Sequence, residues 1–225
     1  MSIEILHRDD IPLGGFAGLK EHRLVEDPKA FGGDMDPGVW QGLGNFVYLA
    51  DARFNPKGET RLHSHKEIDV ISVMVEGRIA HEGSLESGQG LEAFDVQVQR
   101  AGGEGFSHNE VNPDDTKNRM IQLWALPEQP GQPAGYKLYR PQWGDLVRVY
   151  GGPSGQDETF DNSTLIDIGL LNPGQKIQIK SDFLAYVTQG KGKTNGVEIT
   201  DGDLFRGKGL VFEAADKTQL IIIHQ

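Results

Sequence analysis

The stretch "RLHSHKEIDVISVMVEG", residues 61–77, joins a His-x-His pair to an apolar, β-branched run that stops at a glycine. In an extended strand, residues i and i+2 share a face, so His63 and His65 project side by side. The run that follows has the composition of a strand and ends at a turn residue, Gly77. A period of two recurs in "AFDVQVQRAG" (residues 93–102), where Phe94, Val96 and Val98 alternate with Asp95, Gln97 and Gln99. "RMIQLWALP" (residues 119–127) and "TQLIIIHQ" (residues 218–225) are strand-like as well, and glycine-rich turns such as "EGSLESGQG" (residues 82–90) separate such segments. No long segment carries a helical stripe. The reading is an all-β chain of many short strands, arranged as a sandwich or barrel.

Composition supports this. Thirty glycines and eleven prolines in 225 residues describe a chain that turns often. The formal net charge of −11 would repel phosphate backbones and anionic membranes, so no direct nucleic-acid or membrane partner is expected. The absence of cysteine removes disulfides, thiolate nucleophiles and Cys-ligated zinc. The first residues, "MSIEILHRDDIPLGG", lack an apolar signal-peptide core, and no window is apolar enough for a membrane helix. A cytoplasmic location is the expectation.

The segment "PEQPGQPAG", residues 127–135, breaks the strand pattern with three prolines and two glycines. It suggests domains at 1–135 and 136–225. The second half weakly echoes the first. "FNPKGETRLHSH" (residues 54–65) is similar to "LNPGQKIQIKS" (residues 171–181), and "VEGRI" (residues 75–79) to "TQGKG" (residues 188–192), at offsets of roughly 113 to 117 residues. That spacing suggests a duplicated barrel.

A second polar pair adds chemistry to the first. "GGEGFSHNEVN", residues 102–112, carries His108 and Glu110, again at i and i+2. If the two strands pack together, three imidazoles and a carboxylate converge inside a barrel. Such a set suits iron(II), manganese, nickel, copper or zinc better than calcium or magnesium. The alternative is that these histidines lie on solvated strand faces and never meet.

Gly58-x4-His63-x-His65-x3-Asp69-x7-Gly77 resembles the first cupin motif, and Gly105-x2-His108-x3-Asn112 the second. More narrowly, "HSHKEIDVISVMVEGRIAHEGS" and "AGGEGFSHNE" resemble the two signatures of the pirin family of bicupins, with the likeness running from about residue 58 to residue 127. The resemblance implies two stacked jelly-roll barrels and one divalent metal ion, iron(II) first, in the N-terminal barrel. The ligands it implies are His63, His65, His108 and Glu110, with Glu110 also a candidate catalytic base, and a second barrel without metal. It further implies quercetin 2,3-dioxygenase activity on a flavonol, or alternatively a non-enzymatic, redox-sensing role with a regulatory protein partner. Three departures stand out: Ser64 in place of a proline, a glycine-rich approach to His108 one residue longer, and Asp69 in place of a glutamate. Asp69 is expected to support the ligands from behind, and Glu67 is a weaker substitute ligand. His81 is expected on a surface hairpin more than behind the site. His7, His22 and His224 are expected as surface or satisfied core histidines, and Trp40, Trp124 and Trp143 as core.

Other signals are set aside. "GDLFRGKG" (residues 202–209) mimics a phosphate-binding loop but has Gly209 where a Ser or Thr must hold magnesium, and no helix follows. Ser154 lacks a neighbouring base.

Overall fold

The alternating segments fold as strands in a computed structural model that describes residues 3–33, 35–85 and 89–225. The turn expected over residues 82–90 falls partly outside the described residues. Helix, among those described, is confined to the 3-10 turn Arg8–Asp10 and the single α-turn Pro28–Phe31.

Two compact units emerge: Ile11–Gln41 with Asn45–Arg140, and Pro141–Gln225 with Met1–Asp10 and Gly42–Gly44. The expected division at 135/136 differs from this in three places, and strand pairing accounts for two of them. Strand Gly135–Tyr139 pairs antiparallel with Val96–Arg100, so it closes the edge of the first unit's large sheet. Strand Glu4–His7 pairs with Asp203–Ala214, in register from Glu4 opposite Arg206 to His7 opposite Asp203, which joins the first residues to the second unit.

The first unit has a seven-stranded sheet and a four-stranded one. The large sheet runs Gly135–Tyr139, Val96–Arg100, Asp69–Glu76, Arg119–Ala125, Phe46–Phe54, Leu19–Glu26 and Gly14–Phe16; the small sheet runs His63–His65, Phe106–Val111, Ile79–Gly83 and Gly90–Leu91. Strand Asp69–Glu76 is buried at every position but its last, as expected of a central strand covered on both faces. Phe54, Met74, Ile79, Leu91 and Met120 form one core cluster beneath it. Burying each of these side chains contributes about 1.5–3 kcal/mol.

The second unit is an eight-stranded antiparallel arrangement that includes the long strands Asn162–Leu171, Lys176–Gln189, Asp203–Ala214 and Thr218–His224. Its core includes Phe183, Phe205 and Phe212, with Phe183 and Phe205 edge to face at 5.7 Å.

The weak internal echo has a structural basis. In the first unit the Asn55 carbonyl accepts from Gly58 N at 2.8 Å just after strand Phe46–Phe54. In the second, the Asn172 carbonyl accepts from Gln175 N at 3.0 Å just after Asn162–Leu171. Gly77 (φ 71°) and Gly190 (φ 82°) then follow Asp69–Glu76 and Lys176–Gln189, each taking the left-handed conformation that a turn residue there requires.

Candidate metal centre

The small sheet places the polar residues. Antiparallel register sets His108 opposite His63 and Phe106 opposite His65, while Glu110 lies opposite His81 on the other side. His63 and His65 turn the same way and Ser64 turns outward, where its hydroxyl meets that of Ser107 at 2.7 Å. Ser64 therefore ties the two histidine-bearing strands together, a cross-strand contact worth roughly 0.2–1 kcal/mol.

Three imidazoles meet. His108 Nε2 lies 3.0 Å from His63 Nε2 and 3.2 Å from His65 Nε2, and all three residues offer nitrogens within 4.8 Å of one another. Among the described residues, this is the His/Cys/Asp/Glu grouping with a geometry able to hold a metal ion. At His63 the proton is directed away from the meeting point. His63 Nδ1 donates to the Arg61 carbonyl at 2.9 Å, because a carbonyl can only accept, and this leaves Nε2 as a bare lone pair. Arg61 holds that carbonyl from a left-handed backbone (φ 64°), a conformation that costs a non-glycine residue energy. Lone pairs facing one another at 3 Å repel, and a cation between them relieves the repulsion. Burial, with added repulsion from His63, lowers the pKa of His65 to about 4. Burial, with repulsion from His63, His65 and His81, lowers that of His108 to about 2. Neutral imidazole is the metal-binding form. The donor set fits a borderline divalent cation.

Glu110 is fully buried two residues from His108, and burial raises its carboxyl pKa to about 7, opposed by a hydrogen bond from Ser72 Oγ at 3.1 Å. It lines the same inner cavity but stands outside the group of mutually close nitrogens. Asp69 is engaged by Arg100, whose Nη2 and Nε lie 3.1 and 3.2 Å from Oδ2, both residues being buried. Glu67 accepts from Gly131 N at 3.0 Å.

His81 is a correction to the expected surface hairpin. It is 0% exposed, and its Nε2 lies 3.2 Å from His108 Nδ1. Sequence reasoning also left Gln97 and Gln99 without a role, although both are fully buried. Gln99 Oε1 accepts from His108 Nδ1 at 3.1 Å, and Gln97 Nε2 donates to Ser72 Oγ at 3.3 Å. The available signal was the pair of amides at alternate positions in a strand whose other face is valine. Of the remaining histidines, His224 bonds Asp167 at 2.8 Å, His7 bonds Asp203 at 2.8 Å, and His22 bonds the Ile11 carbonyl at 2.8 Å.

Two connected spaces surround the histidines. The inner cavity, about 50 Å³, is lined by His63, His65, His108, Glu110 and Gln122 among others. That volume suits an ion with a water or two, and it lies far below the 300–1,000 Å³ of an organic-ligand pocket. An outer groove of about 550 Å³ shares Phe16, Tyr48, His63, His65 and Trp124 with it. Trp124 is partly buried, packs against the Val70, Ala101 and Phe106 cluster as expected of a core residue, and stacks on Tyr48 at 4.4 Å and on Phe31 at 5.8 Å, so it also walls this groove. Phe31 is presented by the α-turn Pro28–Phe31, which Asp27 caps at one end and Gly32 (φ 58°) at the other.

A barrel that gathers histidines from two adjacent strands around one point defines the cupin class. Residues 36–125 match the family model Pirin. That segment, two fifths of the chain, is therefore similar to the pirin family of cupins. Quercetin 2,3-dioxygenase of Escherichia coli strain K12 is 27% identical over 148 residues, which cover 63% of this chain and 64% of that protein, just under two thirds of its length. The bacterial pirin YhhW from Escherichia coli, in complex with nickel(II), superimposes with a TM-score of 0.84 at 18% identity, covering 99% of this chain and 98% of that one. A quercetin 2,3-dioxygenase from Acinetobacter baumannii gives 0.70 at 18% identity over 99% of this chain and 85% of that one. These structural likenesses establish the bicupin fold.

Proposed function

We propose that this protein binds one divalent metal ion, iron(II) in the first instance, through His63, His65 and His108 with Glu110 alongside, and oxidises a flavonol-type substrate with dioxygen. The observation that carries this reading is the convergence of three bare or neutral imidazole nitrogens at the inner end of an aromatic groove. The name of the Escherichia coli relative and the nickel(II) complex of YhhW support it.

When bound, the metal supplies Lewis acidity and access to dioxygen chemistry. The protein's own groups do the rest. His63, His65 and His108 hold the ion, the lone pairs of His63 and His108 directed by hydrogen bonds on their far sides. Phe31, Tyr48 and Trp124 offer stacked faces to a planar ligand, in a groove whose volume lies within the range of organic-ligand sites. Glu110, with its pKa lifted to about 7, is suited to accept a hydroxyl proton near neutral pH.

Aerobic incubation of iron-loaded protein with quercetin tests the proposal. Substrate absorbance and dissolved oxygen should fall together. Protein shown by metal analysis to carry one equivalent of iron, yet consuming neither, would overturn it. Nickel, copper and zinc bind such nitrogen sets more tightly than iron, so metal content must be measured alongside.

A further inference from the structure

Behind His108, on the side away from the meeting point, three side chains form a closed polar triangle. Gln99 Oε1 lies 3.1 Å from His108 Nδ1, Gln99 Nε2 lies 3.1 Å from His81 Nε2, and His81 Nε2 lies 3.2 Å from His108 Nδ1. None of the three is more than 1% exposed. Gln99 comes from the large sheet, on strand Val96–Arg100, whereas His108 and His81 come from the small one. The triangle therefore spans the barrel interior.

We infer that Gln99 is the positioning residue that directs the lone pair of His108 towards the metal. This role rests on the proposed metal site and on the valence of an amide. With its oxygen towards His108, Gln99 accepts the Nδ1 proton and leaves Nε2 bare. Its NH2 then donates to His81 Nε2, which places the His81 proton on Nδ1. The opposite amide orientation would present N–H to His108 Nδ1. The proton of His108 would move to Nε2, into the space shared with His63 and His65, where it would block a cation. The two residues are coupled: a neutral His81 with an Nε2 lone pair goes with the amide NH2 on its side, and that same orientation turns the amide oxygen to His108. Fixing a ligand's tautomer from behind typically changes metal affinity 10–100-fold.

The test compares cobalt(II) binding by wild type, Gln99→Met and Gln99→Glu, using competition titration for affinity, the visible ligand-field spectrum for geometry, and circular dichroism for folding. Gln99→Met removes both bonds at similar volume and should weaken binding 10–100-fold with an altered spectrum. Gln99→Glu keeps an acceptor facing His108 and should bind at least as tightly as wild type with the wild-type spectrum. A purely structural role predicts the reverse, since a buried carboxylate is the more disruptive change. Folded Gln99→Met with wild-type affinity overturns the inference and leaves the metal site standing, as does Gln99→Glu losing affinity to the same extent as Gln99→Met. Wild type that binds no cobalt overturns the metal site and this inference together.

Discussion

His65 and His108 are imidazoles whose charged forms the protein disfavours, chiefly through burial. This has a consequence for stability in the metal-free state. An unfolded histidine takes up its proton near pH 6.5, whereas folded His65 does so near pH 4 and folded His108 near pH 2. Through these two groups the unfolded chain binds more protons than the folded one below about pH 6.5, which outweighs the single opposing proton that folded Glu110 takes up near pH 7, and unfolding becomes easier as pH falls. For His65 this loss runs from about pH 6.5 down to about pH 4, and for His108 it continues lower. Urea unfolding in EDTA at pH 7, 6, 5 and 4.5 should show stability declining with acid, and the decline should be shallower in His65→Gln. A pH slope unchanged by that substitution would count against the burial of His65 as its cause.

Strands deliver these residues, and their close approach is set by glycine. Gly83, at the end of Ile79–Gly83, pairs with His108 and has φ 153°, in a region open to glycine. A Cβ there would sit 2.2 Å from the Ser107 carbonyl oxygen and 2.8 Å from His108 Cα, both backbone atoms that cannot swing aside. Gly83→Ala must therefore push the Phe106–Val111 strand away. A cost of about 1–3 kcal/mol is expected from the overpacking, together with weakened metal binding, since the displaced strand carries His108. Thermal unfolding with a parallel metal titration checks both; retention of full affinity would mean that the sheet absorbs the strain elsewhere. The same scale explains Gln97 and Gln99. Their alternation with Val96 and Val98 is the ordinary signature of a half-exposed strand, yet all four are 0% exposed. Here the polar side of the strand is the one that faces the site.

Across the whole molecule, one metal ion binding only the folded state should raise stability. At a free concentration one hundred times its Kd the gain is about 2.7 kcal/mol. For a chain of this size that corresponds to a rise in Tm of roughly 5–10 °C over EDTA-treated protein. Differential scanning calorimetry across a metal series provides the measurement. The rise should vanish in His63→Ala, and a rise of equal size in that variant would mean that the ion binds elsewhere.

The sequence by itself carried the all-β class, the internal echo and the shared face of His63 and His65, because period-two alternation, turn glycines and His-x-His spacing are local properties of a strand, whereas the meeting of that pair with His108 took strand pairing. It also carried the likeness to the pirin family, through motifs confined to the half of the chain that bears the histidines. What it did not carry depends on contacts between distant segments. Strand pairing decided that Glu4–His7 joins the second unit and that Gly135–Tyr139 stays with the first. Packing of one sheet on the other decided that His81 and Gln99 stand behind His108, that Trp124 walls a groove, and that Asp69 is engaged by Arg100. Local spacing says which face a side chain is on; only the closed barrel says what that face meets.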